Sequence, residues 1–201
     1  MKTIQTIFFD LFNVLIGVDQ SVVVNYVSKL TDTPYLLTKD IIQGEIFMRY
    51  ERGEIDFKQY FIDIQYALNS GEKLDFDEFK IRWVSTEIGE MPATNLITEL
   101  NGKTNIWLLS NTTNRHIKYL KSKFGFFENV NGVITSQDAG VLKPDPQIYR
   151  FALHIAHCLP ENALYVDDQW TNVQSAKSAG ITSHHYTDFE KLQKFLKHNL
   201  S

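Results

Sequence analysis

Four short apolar runs, each ending abruptly in polar residues, constrain this chain more than any other feature. Residues 4–9 end at Asp10, and residues 106–109 end at Ser110-Asn111-Thr112. Residues 133–134 precede Thr135-Ser136-Gln137-Asp138, and residues 163–166 end at Asp167-Asp168. Such runs read as strands buried on both faces, the kind found in parallel sheets. Helical periodicity then returns over residues 114–124, 146–156 and 172–179, and residues 189–200 read as a last amphipathic helix. Strands alternating with helices predict βαβ units and an α/β fold with a doubly wound parallel sheet. The ligand site of such a sheet lies beyond the carboxyl ends of its strands. Asp10, Ser110, Asp167 and Asp168 fall at those ends, and Lys143 follows the third run by a short loop.

Residues 18–90 lack clear buried strands. Helical stretches are predicted at 21–30, 38–51, 56–68 and 76–86, with Asp56 and Asp75 as N-caps and Gly53 and Gly71 as stops. The expected organisation is a core domain of residues 1–17 and 91–201. A helical cap domain, residues 18–90, is inserted after the first strand and folds over the site. Phe79 and Trp83, four apart, are expected to pack the cap internally. Glu45, Arg49, Glu51 and Arg52 recur at helical spacing near Tyr50. They read either as an exposed face with pairs such as Glu45–Arg49, or as a substrate entrance where Arg49 or Arg52 recognises sugar or carboxylate groups.

An aspartate leaving a buried strand into a tight turn, as Asp10 does, can serve as a nucleophile or a metal ligand, or merely cap the turn. The Asp167-Asp168 doublet is either a solvated acidic turn or, in a partly dry pocket, a self-repelling pair that needs a cation. With Asp10 it makes a hard oxygen site suited to Mg²⁺, which favours one or two carboxylates plus a phosphate. Lys143 reads either as an ordinary surface lysine or as the charge that would neutralise a transferring phosphoryl group or Asp10 itself. The Ser110 hydroxyl and the N–H groups after it offer donors to a phosphate oxygen.

Other features narrow the field. A hydrophobic fraction of 43% with 22% charged residues indicates a folded, soluble chain, and 201 residues suit one domain with a small insertion. A net charge of −4 without a basic run argues against nucleic acid as a partner. No stretch of about 18 apolar residues suggests a membrane span, and the first ten residues hold too short an apolar run for a signal peptide, so a cytoplasmic protein is the default expectation. The single cysteine, Cys158, excludes an intramolecular disulfide or cysteine cluster and reads as a buried, inert thiol. His184 and His185, adjacent on a strand, point to opposite faces, and His154 and His157 read as an ordinary helix surface without a third ligand. No Gly-x-Ser-x-Gly elbow, P-loop or dinucleotide fingerprint occurs.

The ordered set Asp10-x-x-Asn-Val-Leu, Leu-Leu-Ser110-Asn, Lys143-Pro and Val-Asp167-Asp168 resembles the four motifs of the haloacid dehalogenase-like (HAD) hydrolase superfamily. Phe-Asp-Leu-x-Asn-Val, Glu51-Arg-Gly-Glu-Ile55, Ser136-Gln-Asp and Lys143-Pro-Asp-Pro-Gln-Ile-Tyr149 look most like the α-glucose-1-phosphatase group and the N-terminal phosphatase domain of soluble epoxide hydrolases. The resemblance implies a Rossmann-like core with a cap, acting on a small phosphorylated substrate as a monomer or homodimer. It makes Asp10 the nucleophile, forming an aspartyl-phosphate. Mg²⁺ would be held by Asp10, the backbone carbonyl of Phe12 and Asp168. Asp167 would orient a metal-bound water, braced by Asn172. Ser110 and Asn111 would hold the phosphoryl oxygens, and Lys143 would balance charge.

One position departs from the pattern. Many such phosphatases carry a general acid–base aspartate two residues after the nucleophile, where this chain has Phe12. General acid–base help is worth about 10²–10⁴-fold. Three readings follow: a substrate whose leaving group needs little protonation, such as an anomeric sugar phosphate; a water or cap residue recruited instead; or a slow or non-catalytic phosphate-ligand or protein-binding module. The relatives near α-glucose-1-phosphatase also lack this acid. A metal-independent 2-haloacid dehalogenase is a further alternative, but those enzymes generally replace the late carboxylate pair that this chain keeps.

Overall fold

The computed structural model describes residues 3–84 and 86–200. In chain order, β1 (Thr6–Phe9) leads to β2 (Ile16–Val18), followed by five helices: α1 (Ser21–Thr31), α2 (Tyr35–Gln43), α3 (Glu45–Glu51), α4 (Phe57–Ala67) and α5 (Phe76–Val84). Then come β3 (Glu87–Glu90), α6 (Thr94–Leu100), β4 (Asn105–Ser110), α7 (Asn114–Lys123), β5 (Gly132–Thr135), α8 (Ser136–Ala139), α9 (Pro146–Ile155), β6 (Ala163–Asp167), α10 (Trp170–Ser178), β7 (Thr182–His185) and α11 (Phe189–Leu200). Chain contacts separate two compact units, Met1–Gly17 with Glu90–Ser201, and Val18–Gly89.

The first unit is a five-stranded sheet in the order β5-β4-β1-β6-β7, with every neighbouring pair parallel. After β1 the chain winds to one side through β4 and β5, then crosses back to β6 and β7. The strand order therefore reverses beside β1, and the crevice at the carboxyl ends of β1 and β6 is where such sheets bind ligands. The alternation of period two sorts the side chains into two cores. Ile7, Phe9, Ile106, Leu108, Leu164 and Val166 pack against Ile117 and Leu120 of α7 and Leu192 and Leu196 of α11. Phe8, Leu109, Ala163 and Tyr165 face the other way, against Ile148, Tyr149 and Ala152 of α9 and Ala176 of α10. Both faces are covered, which is why these strands read as unbroken apolar runs.

The second unit is helical. Val24, Val27, Ile42, Tyr60, Ile64 and Phe79 are its fully buried hydrophobic side chains. Phe79 and Trp83 stack at 6.0 Å inside it, as their spacing predicts. Asp56 caps α4 by accepting from Gln59 N at 2.8 Å, and Asp75 accepts from the amides of Asp77 and Glu78. Two expectations are corrected. The helix expected over 38–51 is broken at Gly44, where a Cβ would lie 2.2 Å from the Asp40 carbonyl oxygen, so the chain turns between α2 and α3. Gly71 is no helix stop: α4 has already ended, and Gly71 is buried where a Cβ would meet Gln65 O at 2.0 Å. Gly53 does take the left-handed conformation of a stop, with φ 75°. The helix expected to reach residue 86 ends at Val84, and Ser85, like Met1 and Lys2 of the leader reading, lies outside the described residues. The short β2–β3 pair was not expected.

Candidate active site

Asp10 takes its position from the sheet. Its amide donates to Val166 O at 2.8 Å, continuing the β1–β6 ladder by one residue. The backbone then turns sharply: Leu15 N and Ile16 N both donate to Leu11 O, and Asn13 sits at φ 57°. Asparagine is one of the few residues that tolerate this left-handed conformation. Leu11 N donates to Asp10 Oδ1 at 2.7 Å and holds the carboxylate at the mouth of the strand.

Lys143 reaches the same point from the loop between α8 and α9. Its Nζ lies 2.7 Å from Asp10 Oδ1, 2.8 Å from Asp167 Oδ2 and 3.0 Å from Leu109 O, which occupies all three ammonium donors. Burial alone would depress its pKa, but Asp10 and Asp167 more than offset that and raise it, so Lys143 stays charged.

Asp167, fully buried at the end of β6, accepts from four groups. Lys143 Nζ and the Tyr165 hydroxyl reach Oδ2, Gln169 N reaches Oδ1 at 2.7 Å, and Asn172 Nδ2 lies 3.1 Å from each oxygen. A carboxylate offers about four lone-pair positions, and protein donors fill them here. Burial pushes its pKa up, yet Lys143 and the other donors bring it below the usual carboxylate value. Tyr165 was missed in the sequence reading. The signal was present, since a strand residue two before Asp167 shares its face.

Asp168 is more open. Burial, then the neighbouring Asp167, raise its pKa, while an Asn13 side-chain hydrogen bond lowers it. One oxygen from each of Asp10, Asp167 and Asp168 falls within 4.8 Å of the others, the single such cluster among the described residues. Three carboxylates against one ammonium leave two negative charges uncompensated. Burial pushes the Asp10 carboxyl up to about 7, with Lys143 opposing the shift and Asp167 adding to it. A hard divalent cation would balance this oxygen-only donor set, so the residues present fit Mg²⁺.

Ser110, the last residue of β4, is buried, and its Oγ has no protein partner. Asn111 instead turns its amide to Lys143, with Oδ1 accepting from Lys143 N at 2.8 Å and Nδ2 donating to Lys143 O at 3.1 Å. Ser136 ties down the next residue, accepting from Thr112 N at 2.9 Å and donating to Thr112 O at 3.1 Å. Phe12 stacks on His116, ring centroids 5.4 Å apart, and His116 Nδ1 lies 3.2 Å from Thr112 Oγ1.

The features set aside fall elsewhere. His184 stacks on Phe195 at 4.8 Å, whereas His185 Nε2 lies 2.9 Å from Asp168 O. His154 and His157 are exposed, 6.4 Å apart between ring centroids, and belong to no metal-competent cluster. Cys158 is buried. In the helical unit, Arg52 pairs with Glu45 at 2.7 Å and Glu54 at 2.6 Å, and Arg49 with Asp63 at 3.2 Å and Glu54 at 3.6 Å. Both guanidinium groups are thus engaged by carboxylates of their own unit. Among the described residues no helix is long and apolar enough to cross a membrane.

A family model for haloacid dehalogenase-like hydrolases matches residues 4–180. The chain is 26% identical over 191 residues to a D-ribitol-5-phosphate phosphatase of Bacteroides thetaiotaomicron, covering 89% of each chain. It is also 26% identical over 152 residues to a sesquiterpene phosphatase of Aspergillus oryzae, covering 74% of this chain and 76% of that one. Among solved structures, a HAD family enzyme from Bacteroides thetaiotaomicron in complex with magnesium and inorganic phosphate superposes with a TM-score of 0.80 at 23% identity, over 94% of this chain and 98% of the other.

Proposed function

The chain belongs to the haloacid dehalogenase-like hydrolase family, and on that premise we propose that it is a Mg²⁺-dependent phosphomonoester hydrolase working through an aspartyl-phosphate on Asp10. The observation that carries this reading is the buried Lys143 ammonium between Asp10 and Asp167, with Asp168 close enough to share a cation. Bound Mg²⁺, held by Asp10, Asp168 and the Phe12 carbonyl, would supply Lewis-acid stabilisation of the phosphoryl oxygens.

The residues of the chain do the rest. An Asp10 oxygen attacks phosphorus in line, forming an O–P bond as the bond to the leaving oxygen breaks. Lys143 and the Ser110 hydroxyl meet the equatorial oxygens, where charge is spread in the transition state. Asp167, held by Tyr165, Gln169 N and Asn172, keeps Lys143 in place. Water then cleaves the acyl-phosphate and regenerates Asp10.

The substrate class follows from Phe12, which cannot move a proton. A leaving group that departs without much protonation suits the site, as from an anomeric sugar phosphate, with the proton supplied by water. The activities of the similar proteins, a D-ribitol-5-phosphate phosphatase and a sesquiterpene phosphatase, support a small phosphorylated metabolite.

Phosphate release from a panel of sugar phosphates tests the reading. Activity is expected with Mg²⁺, lost in chelator and lost in Asp10→Asn. Turnover no faster than Asp10→Asn overturns it. Capture of beryllium fluoride without turnover replaces it with the binding-module reading that Phe12 motivates. Halide release from 2-haloacids in chelator replaces it with a dehalogenase, against which three carboxylates around one lysine speak.

A further inference from the structure

The Ser110-Asn111 pair expected to hold phosphoryl oxygens divides in the structure. Ser110 keeps an unpartnered, buried hydroxyl, while the whole Asn111 amide is committed to the main chain of one residue 32 positions away. We propose that Asn111 is a positioning residue that acts through Lys143 and makes no side-chain contact with substrate; this rests on the phosphatase reading above.

A planar amide presents an acceptor and a donor side by side, matching the N–H and C=O of a single extended residue. Two bonds at 2.8 and 3.1 Å therefore restrict rotation on both sides of the Lys143 Cα. The clamp is anchored where the sheet is firmest, since Asn111 directly follows β4, paired with both β1 and β5. Lys143 by contrast lies outside any helix or strand, in a loop also tied by Asp145 N to Leu142 O and Ser175 Oγ to Pro144 O. A lysine stem has many rotamers, so fixing its origin decides where Nζ can reach.

The reaction gives this clamp its purpose. Nζ rests between two carboxylates, and one of them, Asp10, loses its charge on becoming an acyl-phosphate. From then on the ammonium is drawn to Asp167 and to the charged phosphoryl oxygens, and no longer to an Asp10 carboxylate. A hold on the main chain does not depend on that charge, so Lys143 stays within reach of the phosphoryl group through both steps.

Two measurements on the full chain with Mg²⁺ test this. Asn111→Ala should lower kcat by about 10²-fold, the usual result of a misplaced catalytic group, with KM within about twofold. In a Lys143→Met background the same substitution should cost little more, because both changes act on one group. Independently of activity, amine labelling read by peptide mass spectrometry should modify Lys143 about tenfold faster in Asn111→Ala than in the parent, with other lysines unchanged. A raised KM with kcat preserved, multiplicative effects in the double variant, or unchanged Lys143 labelling overturns the proposal. If the parent hydrolyses no phosphate ester, the phosphatase reading falls and labelling alone decides the clamp. If Asn111→Ala labels at every lysine, Asn111→Asp decides it. That side chain keeps the acceptor and loses the donor, so labelling selective for Lys143 supports the clamp and parental labelling refutes it.

Discussion

Lys143 Nζ lies 2.7 Å from Asp10 Oδ1, and each residue is only 5% exposed. Removing one member of a buried ion pair leaves the other charge uncompensated, at a cost of about 3–5 kcal/mol. Lys143→Met should therefore destabilise the magnesium-free protein by that order in denaturant unfolding. Asp10→Asn in the same chain should recover a large part of the loss, since it removes the stranded charge. Additive losses in the double variant would show that the two side chains do not depend on each other.

Three carboxylates around one ammonium also predict that Mg²⁺ stabilises the fold. A ligand at a hundredfold excess over its Kd contributes about 2.7 kcal/mol, which for a chain of this size is a rise in Tm of roughly 5–10 °C. Asp168→Asn should abolish most of that rise, because Asp168 is the carboxylate of the doublet with the fewer protein donors. Thermal unfolding in MgCl₂ and in KCl of equal ionic strength measures it. Equal shifts in both salts would reduce the effect to screening.

The central strands and the meeting of Asp10, Asp167 and Asp168 were legible for one physical reason. A parallel sheet buried on both faces writes its strands as apolar runs, and a carboxylate such as Asp10 or Asp167 at the end of one stands out against them. The runs at 4–9, 106–109, 133–134 and 163–166 locate β1, β4, β5 and β6. The break at Gly44 was harder to see, because an isolated glycine within a helical pattern is often tolerated; what decides it is the close approach of the Asp40 carbonyl. The Asn111 contacts were not readable, since they depend on where a side chain points once distant segments have met. The same holds for Arg49, whose partners Glu54 and Asp63 lie beyond its own helix.

Tyr165 donates to the Asp167 oxygen that also receives Lys143. A hydrogen bond to a charged group contributes about 1.5–3 kcal/mol. In Tyr165→Phe the ring still packs against Tyr149, and Asp167 keeps its other donors, so the loss should fall near the lower end, about 1.5 kcal/mol. The midpoint of urea unfolding reads this directly, and kcat should fall while KM holds. An unchanged midpoint would mean that the remaining donors satisfy Asp167 fully.

His184 gives the fold a pH dependence separate from the metal-competent cluster. Its ring stacks on Phe195 and its buried Nε2 has no partner. Burial, then the charges of His185, Lys177 and Lys191, lower its pKa, with Asp188 opposing them. In the unfolded chain the imidazole takes up its proton near pH 6.5. Between that value and the lower folded one, the unfolded state binds more protons, so stability falls as pH falls through this window. Above pH 6.5 the group is neutral in both states and contributes no slope. His184→Phe keeps the aromatic stack and removes the titration. Its Tm should therefore decline less than the parent's between pH 7.5 and 5.5, and an NMR titration of the parent should place His184 below 6.5. Parallel Tm curves, or a His184 titration at or above 6.5, would refute the assignment.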